Sequence, residues 1–288
     1  MRHLEVEVPG GRMVHVYDSL PGRSGSDVPV VFWHHGTPQS GLLPPPVLSG
    51  GKGRAVRFIS YDRPGYGTSE PQPGRDVAAA ARDVDAIADA LKVGRFAVLG
   101  ASGGGPHALA CAAVLSERVR AVGCLASLAP FDAEGLDWFA GMAPSGVAEF
   151  TAASRGATDL LAHLSRADPE DFDEFAPADM SIFAGPYGDW LVTSSTGGLS
   201  TGYTGAVEDD LAFVEPWGFD PADVEAPALL VQGGADRFVP PAHAEWLAAR
   251  CPRAQLRLTR TDGHISIFRH LAGTVAWLLD RWADSAPA

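Results

Sequence analysis

Two apolar runs meet at a single serine, and the turn between them limits the fold more than any other stretch of the chain. Arg95-Phe96-Ala97-Val98-Leu99-Gly100 reads as a buried strand, and His107-Ala108-Leu109-Ala110-Cys111-Ala112-Ala113-Val114-Leu115 reads as a helix. The segment joining them must turn sharply. Within it, Gly100-Ala101-Ser102-Gly103-Gly104 fits the pattern G-x-S-x-G in a strand–turn–helix context. A turn of this kind forces the serine backbone into a strained conformation. Neighbours without a Cβ let the strand and the helix approach closely.

The flanking chain repeats the strand–helix rhythm. Leu4, Val6 and Val8 alternate with Glu5 and Glu7, then Pro9-Gly10-Gly11 turns into Met13-Val14-His15-Val16-Tyr17, which predicts an antiparallel hairpin at a sheet edge. A polar loop is expected over Pro21–Asp27. Buried strands follow at Pro29–Trp33 and Ala55–Tyr61. Val77, Ala80, Val84, Ile87, Ala88 and Leu91 recur at helical spacing, with Asp76 as N-cap and Gly94 beyond the end. Val119–Leu128 supplies a strand after the central helix. The rhythm returns with strands at Pro227–Gly233 and around Leu256 and Leu258, and helices at Pro241–Arg250 and Ile267–Trp282. Strands alternating with helices predict an α/β fold: a mostly parallel eight-stranded sheet with helices on both faces.

Between Phe131 and Trp217 the alternation stops. Aromatic and acidic residues mix with Gly and Pro, including Trp138, Met142, Phe150, Phe172, Phe175, Met180, Phe183, Tyr187, Trp190 and Tyr203. Residues 131–217 are read as an inserted, mostly helical cap over the C-terminal edge of the sheet, with residues 1–130 and 218–288 forming the core. The cap aromatics are either core or substrate wall. The acidic run Asp168–Phe175 reads as a solvated helix face with two buried phenylalanines.

At 288 residues, with 46% hydrophobic and 20% charged residues, the chain has the composition of a globular protein with a large core. Its net charge of −13, without any Lys/Arg-rich run, argues against extended contact with nucleic acid or an anionic membrane. Met1–Val8 lacks an apolar signal core and no segment approaches a membrane span, so a cytoplasmic location is expected. Cys111, Cys124 and Cys251 have no C-x-x-C spacing and read as buried free thiols.

A serine hydroxyl is a poor nucleophile at neutral pH. It needs an imidazole to take its proton and a carboxylate to orient that imidazole. Ser102, Asp236 and His264 occur in the order Ser…Asp…His, each in a loop directly after an expected strand. Asp236 is the first choice for the acid because of its Gly-Gly-Ala-Asp context, with Asp132 the alternative. His34 and His35 are expected to shape a loop at the site. Asp62 and Arg63 are expected to tie loops together beneath it, and His107, His163, His243 and His270 to be structural.

Together, Gly100–Gly104, His35-Gly36-Thr37-Pro38, Asp62-Arg63-Pro64-Gly65-Tyr66-Gly67, Gly234-Ala235-Asp236 and Asp262-Gly263-His264 resemble the landmarks of the α/β-hydrolase superfamily, in its order. The resemblance spans the chain apart from the cap. It implies an oxyanion hole made by the backbone N–H groups of Thr37 and Gly103, the latter at a helix N-terminus. Pro38 would restrict Thr37 to an extended conformation. The implied activity is a serine hydrolase cleaving a carboxylic ester or lactone in a small-molecule substrate with an acyl carbonyl, with no cofactor and no metal. Serine at 102 argues against the superfamily's dehalogenases and epoxide hydrolases, which carry aspartate there. A proline-iminopeptidase-like aminopeptidase is an alternative that the acidic cap allows. Those enzymes, however, typically read His-Gly-Gly-Pro-Gly with tryptophan after the serine, where this chain has His35-Gly36-Thr37-Pro38-Gln39 and Gly103. A C–C hydrolase or lyase relative, and a non-catalytic member that binds a ligand in the capped pocket, are the further alternatives.

Overall fold

The uninterrupted apolar runs form the middle of one sheet, because only strands covered on both faces can bury every side chain. The computed structural model describes residues 1–20, 28–45, 47, 53, 55–166 and 172–284; the loop expected at Pro21–Asp27 lies outside them. Its strands are β1 (Arg2–Val8), β2 (Arg12–Asp18), β3 (Val30–His34), β4 (Arg57–Tyr61), β5 (Phe96–Ala101), β6 (Val119–Leu125), β7 (Ala228–Gly233) and β8 (Ala254–Thr259). They form an eight-stranded sheet in the order β1-β2-β4-β3-β5-β6-β7-β8. β2 pairs antiparallel with both β1 and β4, and every other pairing is parallel. Every residue of β3, β4, β5 and β7 is buried, while the outermost strands β1 and β8 alternate with solvent.

Helices cover both faces. Phe96 and Val98 of β5 point to one side, where Val84 and Ile87 of α1 (Ala79–Ala90), Leu109 of α2 (Gly104–Val114) and Leu247 of α8 (Pro241–Arg250) pack. Ala97 and Leu99 point to the other side, onto Leu271, Val275 and Leu278 of α9 (Leu271–Asp284). The N-cap of α1 is Ala78 rather than Asp76; the Asp76 carboxylate, two residues earlier, accepts the Ala79 N–H at 2.8 Å. The three cysteines are buried and free.

Several element boundaries differ by one or two residues from the sequence reading, and three differences have a clear local cause. α2 begins at Gly104 rather than His107, because the glycines after Ser102 enter the helix at once and Pro106 is tolerated in a first turn. β6 ends at Leu125, where Ala126 swings to φ 50° and leaves the sheet. The last helix is preceded by a 3₁₀ turn, Ser266–His270, instead of running unbroken from Ile267.

Between β6 and β7 the described residues form helices and turns: α3 (Pro144–Ala153), α4 (Ala157–Leu164), α5 (Pro177–Phe183), α6 (Pro186–Gly198) and α7 (Thr204–Val214). Trp138, Met142, Phe150 and Phe213 from this stretch pack with Val77 and Leu128, so these apolar side chains are core. In the described part of the acidic run, Asp173 is exposed as a solvated face requires, but Glu174 is not. Phe172–Glu174 is a 3₁₀ turn, Phe175 is half-buried, and the buried Glu174 accepts hydrogen bonds from the Ser145 N–H and hydroxyl. Asp168–Asp171 lie outside the described residues.

Two glycines fix how closely α2 approaches the sheet. A Cβ on Gly100 would lie 2.2 Å from the Gly104 carbonyl oxygen, and one on Gly104 would lie 2.1 Å from the His34 carbonyl oxygen. Neither backbone atom can move without displacing β3 or the helix. Gly104→Ala is therefore expected to cost about 1–3 kcal/mol, read as a lower urea midpoint. Gly273→Ala, on an exposed turn of α9 where an added methyl meets nothing within 4 Å, should be neutral or stabilise by about 0.5 kcal/mol.

His243 on α8 illustrates a buried neutral imidazole. Its Nδ1 accepts the Ala129 N–H at 3.1 Å and its Nε2 donates to the Trp138 carbonyl at 2.9 Å. Burial pulls its pKa down to about 4. Protonation would also break the bond from Ala129. Between its unfolded value of about 6.5 and about 4 the unfolded chain binds the extra proton, so stability falls as pH falls through that window. His243→Gln cannot titrate. Its loss of stability between about pH 7 and about pH 4.5 should be smaller than that of the wild type in parallel urea titrations.

Candidate active site

The turn after β5 holds Ser102 at φ 52°, in the left-handed region, with its N–H donating to the Leu125 carbonyl at 2.8 Å. A residue with a side chain pays strain to sit there. The hydroxyl stands at the carboxyl end of the parallel strands, half-exposed, where loops after neighbouring strands converge.

Two of those loops bring in His264 and Asp236. His264 Nε2 lies 2.9 Å from Ser102 Oγ, and its Nδ1 lies 2.9 Å from Asp236 Oδ2. Because the carboxylate can only accept, Nδ1 carries the proton and Nε2 is left to accept from the serine hydroxyl. Asp236 is itself fixed. Its Oδ1 accepts the N–H groups of Phe238 and Val239, both at 2.9 Å, and its Oδ2 accepts from Gln232 Nε2 at 3.2 Å. The exposed Asp132 is not the carboxylate on the imidazole. A hydroxyl, an imidazole and a buried carboxylate in this sequence of hydrogen bonds can move the hydroxyl proton onto the ring and balance the resulting charge.

Thr37 and Gly103 lie side by side. A Cβ built on Gly103 would fall 2.4 Å from Thr37 Oγ1, and one on Gly36 would fall 3.5 Å from Ser102 Cβ. Gly103 precedes α2, where backbone N–H groups lack intrahelical partners. The Thr37–Pro38 peptide is cis. Of the two preceding histidines, His35 shapes the loop from within, whereas His34 ends β3 with its Nε2 3.6 Å from Cys111 Sγ on α2. His35 Nε2 accepts the Arg63 N–H at 3.1 Å, which leaves the proton on Nδ1 to donate to the Gly36 carbonyl at 2.8 Å. Burial, then the Arg63 charge, hold the His35 pKa well below the usual imidazole value.

Beneath this loop is a carboxylate that the sequence did not single out. Asp209, on α7, is fully buried. It accepts from Arg63 Nη2 at 2.6 Å, Arg75 Nη2 at 2.5 Å, Tyr66 Oη at 2.7 Å, Thr37 Oγ1 at 2.8 Å and His107 Nε2 at 3.2 Å. Burial alone would raise its pKa, but the two guanidinium groups hold it well below the ordinary carboxylate range. His107, beside it, is lowered to about 4 by burial and by Arg63. The next residue behaves in the opposite way: burial and the nearby Glu149 push Asp210 well above the usual carboxylate range. Arg63 thus ties loops together as expected, and Asp62 does so through the Gly41 N–H at 2.6 Å. Burial raises Asp62 to about 6.

A second unforeseen aspartate supports the other side of the site. Asp179 on α5 is buried and accepts the Ile265 N–H at 3.1 Å, the Ser266 N–H at 2.6 Å and Ser266 Oγ at 2.7 Å, in the loop directly after His264. The available sequence signal was local. Asp209 stands four residues before Phe213 on one helix face, and Asp179 sits in the first turn after Pro177. Neither pattern names the distant loop it serves. Phe238 packs on the His264 ring with centroids 5.5 Å apart, and Phe175 packs on Phe238 at 4.6 Å. No group of three or more His, Cys, Asp or Glu among the described residues is arranged to hold a metal, and no helix among them is long and apolar enough to cross a membrane.

A family model described as alpha/beta hydrolase fold matches residues 29–271. Solved structures match over nearly the whole chain. An esterase from Thermogutta terrifontis is 20% identical with a TM-score of 0.70, covering 98% of this chain and 99% of its own. An esterase from Rhodococcus sp. is 20% identical with a TM-score of 0.71, covering 97% and 99%. The enol-lactonase from Burkholderia xenovorans is 21% identical with a TM-score of 0.66, covering 97% and 100%. At these identities the likeness is one of fold.

Proposed function

The chain belongs to the alpha/beta hydrolase fold family, and on that premise we propose that it is a serine hydrolase that cleaves a carboxylic ester or lactone through an acyl-enzyme on Ser102. The observation that carries the reading is the hydrogen-bonded line Ser102 Oγ–His264–Asp236, at 2.9 Å for each link, built on a serine held at φ 52°. In this mechanism His264 Nε2 takes the hydroxyl proton as Oγ attacks the carbonyl carbon. The negative charge that develops on the carbonyl oxygen is met by the Thr37 and Gly103 N–H groups. The protonated imidazole, steadied by Asp236, gives its proton to the leaving alkoxide. Water, deprotonated by the same nitrogen, then attacks the acyl carbon; the intermediate expels Ser102 Oγ, which takes the proton back from His264, and the acid is released. With a lactone the alkoxide stays tethered to the acyl group: the first step opens the ring and the second frees the hydroxy acid from Ser102.

The segment 131–217 is read as a cap over a core of residues 1–130 and 218–288. The rings of Phe238 and Phe175 beside His264, and of Phe213 against Gly103, favour a largely apolar substrate of small or medium size. Fold likeness does not transmit substrate identity, so a panel of acyl and alcohol chain lengths, with lactones included, is the direct route to it.

Incubation with a fluorophosphonate probe should label the wild type at Ser102 and leave Ser102→Ala unlabelled. p-Nitrophenyl acetate or butyrate should be turned over by the wild type alone. Labelling that persists in Ser102→Ala would place the nucleophile elsewhere. Asp236→Asn should lower kcat by roughly 10⁴-fold, the order seen when a triad aspartate loses its charge. Asp132→Asn should leave kcat within about twofold of wild type. The reverse pattern would reassign the acid.

A further inference from the structure

α7 delivers two side chains to the elbow from outside the sheet. Asp209 and Phe213 are four residues apart, on one face of the helix. Phe213 Cζ stands 3.1 Å from where a Gly103 Cβ would be, and Asp209 Oδ2 accepts the Thr37 hydroxyl proton at 2.8 Å. The Thr37 side chain lies directly over Gly103, its Oγ1 2.4 Å from that same Cβ position. The threonine hydroxyl therefore does not point at a substrate. It is spent as an anchor, and its anchor point cannot drift, because the same carboxylate is gripped by Arg63, Arg75 and Tyr66. α6 adds backbone clamps to the same loop. The Ser194 carbonyl accepts the Ser40 N–H at 2.8 Å, and Gly198 packs so tightly on Pro38 that a Cβ there would lie 2.2 Å from the Pro38 carbonyl oxygen.

We propose that Asp209 is a positioning residue for the oxyanion-binding loop: through Thr37 Oγ1 it sets where the Thr37 N–H stands relative to the Gly103 N–H. The segment inserted between β6 and β7 then contributes to the rate of the chemical step as well as to the shape of the pocket. Stabilisation of a tetrahedral oxyanion depends on donor placement, and a displacement of about 1 Å at a reacting geometry can cost about 10²-fold. The inference rests on the serine-hydrolase reading of the site.

Thr37→Val removes the hydroxyl and keeps both the shape and the backbone N–H. It is expected to lower kcat for p-nitrophenyl butyrate by about 10- to 100-fold with KM within about twofold, because the lost interaction acts on the transition state. The second-order rate of fluorophosphonate labelling should fall in parallel. Thr37→Ser, which restores the hydroxyl, should recover most of the loss. Asp209→Asn leaves two buried guanidinium groups less well balanced and can fail to fold, so the threonine pair carries the test. Where Asp209→Asn does fold, the double variant with Thr37→Val should lose little more than the worse single one. A folded, probe-labelled Thr37→Val with kcat within twofold of wild type overturns the inference and leaves the serine-hydrolase reading standing. So does a Thr37→Ser that is as slow as Thr37→Val. A wild type that neither takes the probe nor hydrolyses either ester removes the reading and the inference together.

Discussion

Gly100 and Gly104 face one another across the turn at Ser102, and neither leaves room for a methyl group. Everything else at the site is placed relative to that contact. It lets α2 start directly after the serine and presses the helix N-terminus against the carbonyl end of β3. It also leaves the Ser102 backbone at φ 52°, a conformation that only the surrounding packing can hold. The loop after β3 therefore runs past Gly103 at contact distance, and the loops after β7 and β8 can reach Ser102 with one carboxylate and one imidazole. A looser turn would place the same residues along the sheet edge without bringing them into hydrogen-bond reach.

The second constraint is electrostatic. Burying Asp209 away from water costs several kcal/mol unless its charge is matched. Here two guanidinium groups, a phenol, a threonine hydroxyl and an imidazole surround it, from the chain segments around Thr37, Arg63, Arg75 and His107. Buried ion pairs of this type are weak evidence for stability but strong determinants of geometry, because few other arrangements satisfy all the partners. Asp179 serves the loop after His264 in the same manner, with backbone N–H donors in place of arginines. The stretch between β6 and β7 thus sends one buried carboxylate to each side of Ser102.

How much could be read in advance follows from the range of the interactions. The hairpin, the buried strands, the α1 register and the turn at Ser102 all rest on contacts within a few residues, which periodicity and turn chemistry record. His264 and Asp236 were also legible, because each sits in a short loop at the end of a strand and the sheet order brings those ends together. Glu174 was misread as solvated because its partner, Ser145, is 29 residues away. Asp209 went unnoticed because Glu208-Asp209-Asp210 looks like an ordinary run of helix-surface acids. In the fold, the two arginines hold Asp209 well below the usual carboxylate range, whereas burial and Glu149 push Asp210 well above it.

By itself, the sequence determined the class of fold, the one serine forced into a strained turn, and the order of hydroxyl, carboxylate and imidazole along the chain. These depend on local sterics and on side-chain chemistry that each residue carries wherever it is placed. Only the tertiary structure decided that Asp236 rather than Asp132 meets His264, that Thr37 is tethered to Asp209, 172 residues further along the chain, and that Asp209 and Asp210, adjacent acids, are pushed in opposite directions by their surroundings. Those outcomes depend on burial and on partners from distant segments, and neither exists until the chain has folded.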